Sequence, residues 1–144
     1  MTGSEIRYTL RCDGGARGNP GPAAYGYVLA NASGSEIEVR GESIGSATNN
    51  VAEYRGLIAG LEAAVRHQAS PLTVYMDSEL VVRQMTGEYK VKNEGLKPLH
   101  AEARQGAEKL GRVRYVAVRR EENARADRLV NETLDKVQGT ESHR

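Results

Sequence analysis

An α/β fold built on a mixed five-stranded sheet is the architecture this sequence predicts: three antiparallel strands, then parallel crossovers, with helices packed against the sheet. Two observations predict it. Period-two alternation fills the first third of the chain, and beyond it apolar residues recur at helical spacing in segments that alternate with short apolar runs. Strand, helix and strand in succession imply a parallel crossover. The 144 residues suit one domain, which at this size buries roughly 70% of its unfolded surface without metals or disulfides as staples. A single domain over residues 1–137 is therefore expected, followed by a flexible polar tail over 138–144, which carries no apolar pattern.

The first strand covers residues 6–13, with Ile6, Tyr8, Leu10 and Cys12 alternating against Arg7, Thr9, Arg11 and Asp13. It ends on a carboxylate and breaks into GGARGNPGP, so an acid stands at a strand end. The connector over 13–22 is longer than the roughly two to five residues a hairpin needs. Backbone amides at Gly14, Gly15 and Gly18, beside the Asn19 amide, can approach a phosphate or ribose. The competing reading is an ordinary glycine-rich hairpin loop. A second strand over 24–30 sets Tyr25, Tyr27 and Leu29 against Gly26 and Val28, and a turn at 31–34 feeds a third over 36–44.

The period then changes. Val51, Tyr54, Leu57, Ile58, Leu61 and Val65 mark a helix behind the polar start Ala47, Thr48, Asn49, Asn50, which can cap its first turn. Gly56 and Gly60, four apart, let it lie close to a sheet, and Glu53 sits in its first turn at the edge of the buried stripe. Ser70 and Pro71 end that region. A fourth strand over 72–77 finishes on Asp77, followed by Ser78 and a short amphipathic helix carrying Leu80, Val81 and Met85. After a polar loop at 86–95, a helix opens near Pro98 with Leu96, Leu99, Ala103, Ala107 and Leu110 on one face, and Gly111 stops it. Residues 112–118 form a fifth strand. Ala126, Leu129, Val130, Leu134 and Val137 line a closing helix with Asp127 in its first turn and Asn123 as its cap.

Composition excludes several functions. Lys and Arg number 20 against 19 Asp and Glu, so affinity for nucleic acid has to come from local patches rather than overall charge. The lone Cys12 rules out an intramolecular disulfide and every multi-cysteine zinc pattern, and its place on an alternating face suits a core residue. No basic, apolar leader opens the chain and no apolar run approaches the ~18 residues of a membrane helix, so a cytoplasmic protein with no membrane partner is expected. Seven tyrosines and no Trp or Phe argue against a base-stacking platform. His67, His100 and His143 form no zinc or triad spacing, and His67 suits a helix C-terminus. GGARGNP lacks the Gly-Lys-Ser/Thr of a P-loop.

Four acids remain. Asp13 and Asp77 close two strands while Glu53 and Asp127 open two helices, and in such sheets ligands sit beyond strand ends where connections diverge. For any one acid a solvated position is the simpler reading. Should the four meet, they cannot all ionise side by side without a cation, and hard oxygen donors point to magnesium or manganese rather than zinc. Two such ions roughly 4 Å apart clamp the attacking and leaving oxygens of an in-line phosphoryl displacement.

The stretches DGGARGNPGPAAYG, TNNVAEYRGL, YMDSELVVRQM and REENARADRLVNE, in this order and spacing, closely resemble type 1 ribonuclease H over residues 5–137. The resemblance implies a ribonuclease H-like fold and a monomeric endonuclease that hydrolyses the RNA strand of RNA/DNA hybrids with two magnesium ions, manganese being a possible substitute, leaving 5′-phosphate and 3′-hydroxyl ends. It implies that Asp13 bridges both ions, that Glu53 and Asp77 hold one, and that Asp127 holds the other beside the nucleophilic water. Asn19, Asn49 and Asn50 match positions that touch the hybrid, and Thr48 matches part of a pocket for a DNA phosphate. Helix capping competes for the Asn49–Asn50 pair.

Three departures from the family pattern stand out. A histidine found upstream of the last acid in many members is absent, and Arg120 takes its place, able to steady charge but not to act as a base. Glu79 stands where a glutamine is familiar. The long basic protrusion of some members is reduced to TGEYKVKNEGLKPL, with Lys90, Lys92 and Lys97 as its remnant. A hybrid-binding module that does not cleave, or a DNA nuclease of the same fold, are the alternative functions. The complete carboxylate set opposes the first, and the paired asparagines oppose the second.

Overall fold

A computed structural model describes residues 7–142, so Ile6 at the start of the predicted first strand lies outside the described residues. Five strands form one sheet in the order β3-β2-β1-β4-β5. In chain order the elements are β1 (Tyr8–Ala16), β2 (Gly21–Ala30), β3 (Glu36–Ala47), α1 (Asn49–Arg66), β4 (Leu72–Met76), α2 (Glu79–Met85), α3 (Lys97–Leu110), β5 (Val113–Ala117), a 3-10 turn (Arg120–Asn123) and α4 (Ala124–Ser142). β1, β2 and β3 pair antiparallel, whereas β1–β4 and β4–β5 pair parallel, as the alternation and the helical crossovers predict.

The inward halves of the alternating strands build the main core. Leu10, Cys12, Tyr27, Leu72, Val74 and Met76 are buried against Tyr54, Leu57 and Leu61 of α1 and Val81 of α2. Burial of each large side chain contributes roughly 1.5–3 kcal/mol, so this layer dominates the domain's stability. Cys12 is fully buried, as its strand position predicts. Tyr54 keeps its hydroxyl satisfied inside the core by donating to Gln84 Oε1 at 2.6 Å. The opposite face is thinner. There α4 covers β2 with Ala24, Val130 and Leu134, approaching so closely that a Cβ on Gly26 would lie 2.7 Å from Leu129 Cβ.

Several predicted boundaries move. β1 does not stop at Asp13: Gly14, Gly15 and Ala16 continue the antiparallel ladder opposite Tyr25, Ala24 and Ala23. The expected ten-residue glycine loop is therefore a short turn, with Arg17 N–H donating to Pro22 O at 2.8 Å. Gly14 and Gly15 are consequently rungs of the sheet rather than members of a ligand-cradling loop, and the Gly14 N–H turns to the Asp13 carboxylate. Helix α1 opens at Asn49, capped by the Thr48 hydroxyl, which accepts from Val51 N–H at 3.3 Å; Glu53 thus falls in the second turn rather than the first. His67 does form the C-cap, and its ring meets Glu38 Oε1 at 2.9 Å. Helix α4 runs beyond residue 137, where the apolar pattern stops, because Gln138 is tied to Arg17 across the domain. No described helix is long and apolar enough to cross a membrane.

Candidate active site

The β1–β4 ladder ends at Arg11 opposite Tyr75, two residues short of the carboxylates on each strand, while β1 itself continues against β2. Asp13 therefore extends past the end of its parallel neighbour, and Asp77 follows β4 directly at the same level. Two glycines bring the third acid to them. A Cβ on Gly14 would sit 2.2 Å from the Ala52 carbonyl and 2.5 Å from Glu53 N, and one on Gly56 would sit 2.7 Å from Asp13 O. Strand and helix thus touch backbone to backbone, and Glu53 is delivered beside Asp13. Gly60, packed against Leu10, extends the same contact along α1, as its spacing from Gly56 predicts.

Asp127 arrives from the other face, on the first turn of α4. All four acids line one cleft of about 300 Å³, together with Asn49, Asn50, Arg17, Arg120 and Asn131. Asp13 is only 6% exposed. Burial, then the neighbouring charge of Asp77, push its carboxyl up to about 8; the Gly14 N–H opposes the shift and Asp127 adds to it by charge and hydrogen bond. Burial likewise raises Glu53 to about 7, with the Ser78 hydroxyl lowering it, Asp77 raising it and Arg120 lowering it. The interactions run in a line, Glu53 to Asp77 to Asp13 to Asp127. Among the described residues, no three His, Cys, Asp or Glu side chains already stand as a closed metal cage. The acids share a cleft rather than a finished coordination sphere.

The other predicted residues divide. Asn49 Oδ1 accepts from Ala16 N–H at 2.8 Å, and Asn49 N–H donates to Asn19 Oδ1 at 3.0 Å. These two amides staple the β1–β2 turn to the start of α1, so what each offers a ligand is its Nδ2 group. Asn49 and Asn50 line the cleft; Asn19 and Thr48 stand outside its lining. Arg120 belongs to the cleft wall, with Nε 4.0 Å from Asp127 Oδ1. Glu79 faces away into an ion pair with Arg83 at 3.0 Å. Lys97 is held by Glu94 at 2.7 Å, whereas Lys90 and Lys92 are exposed on the loop before α3.

Three contributors escape the sequence pattern. Asn123 is not a helix cap: it is fully buried, and its Nδ2 donates to Cys12 O at 3.0 Å and to Asp77 Oδ1 at 3.2 Å. Asn131 Nδ2 donates to Asp127 O at 3.1 Å and lies near Asp127 Oδ2 at 3.4 Å. Arg17 bridges the β1–β2 turn to α4 through Asp135 at 2.8 Å. The available signal is spacing: Asn131 stands four residues after Asp127 and so on its face of α4, while Asn123 stands four before it, in the turn that leads into the helix.

The model of the reverse transcriptase-like family matches residues 11–133. The bifunctional protein Rv2228c of Mycobacterium tuberculosis is 48% identical over 131 residues, 90% of this chain but 36% of that protein, so the chain spans little more than a third of that relative. The crystal structure of RNase H1 from Halobacterium salinarum superposes with a TM-score of 0.87 at 41% identity, covering 90% of this chain and 98% of that one. LC11-RNase H1, solved in complex with an RNA/DNA hybrid, also gives 0.87, at 43% identity over 92% of this chain and 99% of that one. With so much of both chains matched, on one fold and at this identity, the chain belongs to the reverse transcriptase-like family and within it to the type 1 ribonucleases H.

Proposed function

We propose that this domain is an endoribonuclease that cuts the RNA strand of RNA/DNA hybrids with the help of divalent cations. The observation that carries the reading is Asp13: a carboxyl this buried, pushed up by Asp77 and Asp127, is a group whose ionised form calls for a cation. The donor set fits, because four carboxylates offer only hard oxygen ligands, suited to magnesium or manganese. When bound, two such ions supply Lewis acidity and lower the pKa of water at the scissile phosphate.

The chain's own residues do the rest. Asp13, placed between Asp77 and Asp127, is the ligand both ions would share; Glu53 and Asp77 would hold one, and Asp127 the other. Asn50 and the Nδ2 groups of Asn19 and Asn49 offer donors to sugar edges and phosphates, and Thr48, which accepts from Val51, keeps its O–H to donate. Contact with a 2′-hydroxyl is what would separate RNA from DNA. Attack of water on phosphorus with departure of the 3′-oxygen leaves 5′-phosphate and 3′-hydroxyl ends. Arg120 on the cleft wall steadies the accumulating charge.

The test is to incubate the protein with end-labelled hybrid, duplex RNA and duplex DNA, with and without magnesium. Magnesium-dependent cleavage of the RNA strand of the hybrid is expected. Binding without cleavage would make the domain a hybrid-binding module, and cutting of duplex DNA would make it a DNA nuclease of this fold.

A further inference from the structure

The structure assigns Asn123 as the positioning residue that sets where Asp77 stands relative to Asp13. It is the last residue of the 3-10 turn, directly before α4, and no part of it is exposed. One Nδ2 hydrogen goes to the carbonyl of Cys12, the residue before Asp13; the other goes to Asp77 Oδ1. Because the β1–β4 ladder stops at Arg11 opposite Tyr75, the side chain supplies a cross-link just beyond the last rung, to the residue after Arg11 on one side and to the second residue after Tyr75 on the other, tying the two strand ends together where their carboxylates emerge. The same residue begins the turn of chain that carries Asp127 four positions later.

The chemistry of the amide suits this place better than any alternative side chain. Both partners are acceptors, so the amide has to present nitrogen to them, which fixes its orientation. It occupies one Asp77 oxygen without neutralising the carboxylate, whereas Lys or Arg would cancel the charge a cation needs. A carboxylate of the same shape would face two acceptors and donate nothing. Simple packing does not account for it, because Asn123 Oδ1 is buried with no hydrogen-bond partner, a cost an apolar residue would avoid.

This inference rests on the reading of the cleft as a divalent-cation site. The test compares wild type with Asn123→Asp, Asn123→Ala and Asn123→Ser. The half-saturating magnesium concentration is measured on substrate-free protein from the rise in melting temperature, and kcat and KM on the hybrid are measured separately. Loss of a group that orients a ligand is expected to weaken cation binding and kcat about 10- to 100-fold, with KM little changed. The isosteric Asp should be at least as impaired as Ala, and Ser, which keeps one donor, should recover part of the loss. Should Ala not fold, the Asp and Ser variants carry the comparison. Variants that melt lower yet saturate at the wild-type magnesium concentration would reduce Asn123 to a structural residue and overturn the assignment. A wild-type protein that no magnesium concentration stabilises would overturn it too, and would locate the failure in the cation site itself.

Discussion

Gly14 and Glu53 meet through their backbones: a Cβ on Gly14 would lie 2.5 Å from Glu53 N and 2.2 Å from the Ala52 carbonyl. The acid's position is thus set by a residue with no side chain. Gly14→Ala has to push the first turns of α1 off β1, because backbone on both sides cannot yield as a flexible side chain would. A loss near the upper end of the roughly 1–3 kcal/mol typical of overpacking is expected, together with a fall in kcat as Glu53 moves away from Asp13. Urea unfolding and single-turnover cleavage measure the two effects, and a variant with wild-type values for both would refute the close contact.

Asp13→Asn should abolish cleavage and stabilise the metal-free protein. With its carboxyl raised from 3.8 to about 8 in the folded state, Asp13 holds its proton more tightly there than in the unfolded chain. Folding is therefore favoured most below pH 4, and the advantage is lost as pH rises towards 8. At about 1.4 kcal/mol per pKa unit the full rise, caused first by burial and then by Asp77, would amount to roughly 6 kcal/mol; because titration of the cluster is shared with Asp77 and Asp127, the variant should gain only part of this at pH 8 without metal and almost nothing at pH 4. Melting temperatures across that range in chelator give the answer; an equal shift at both ends would mean the carboxyl's charge is not the cause.

What the sequence made legible follows from where the determining contacts lie. Alternation in β1 and β2 and the 3.6-residue recurrence in α1 and α4 are local, so the succession of strands and helices along the chain and the approximate places of all four acids could be read directly. The extension of β1 through Gly14 to Ala16 could not, because glycines look like a loop unless β2 is known to lie opposite and α1 against them. Asn123 stood at a helix opening, where capping is the local expectation. Its actual partners, Cys12 and Asp77, are 111 and 46 residues away. Lys97 looked like one of three equivalent cations until its pairing with Glu94 separated it from the other two.

That separation changes what the basic loop should do. Lys90 and Lys92 are exposed and suited to sequence-independent phosphate contacts, while Lys97 is engaged with Glu94. Replacing Lys90 and Lys92 together by Gln should weaken hybrid binding and reduce the slope of log K against log salt by up to about 0.9 for each lost contact, as for duplex DNA. Lys97→Gln should change the slope much less. Filter binding from low to moderate salt distinguishes them, and an unchanged slope in the double variant would leave these lysines as a solvated face.

Arg120 stands on the cleft wall and reaches within 4.0 Å of Asp127 while 79% exposed. An arginine stays protonated throughout the working range, so any help it gives is constant with pH. Arg120→Ala should therefore lower kcat without adding or removing a break between about pH 6 and 7. The loss should be about tenfold, short of the roughly 10²–10³ for a buried oxyanion donor, because solvent screens an exposed charge. Arg119 supplies the control: it opens the 3-10 turn in an extended conformation, pairs with Glu121 at 3.9 Å and is not part of the cleft lining. Arg119→Ala should leave kcat near wild type. Equal losses from the two would indicate a diffuse basic patch, and a loss confined to Arg119 would remove Arg120 from the site.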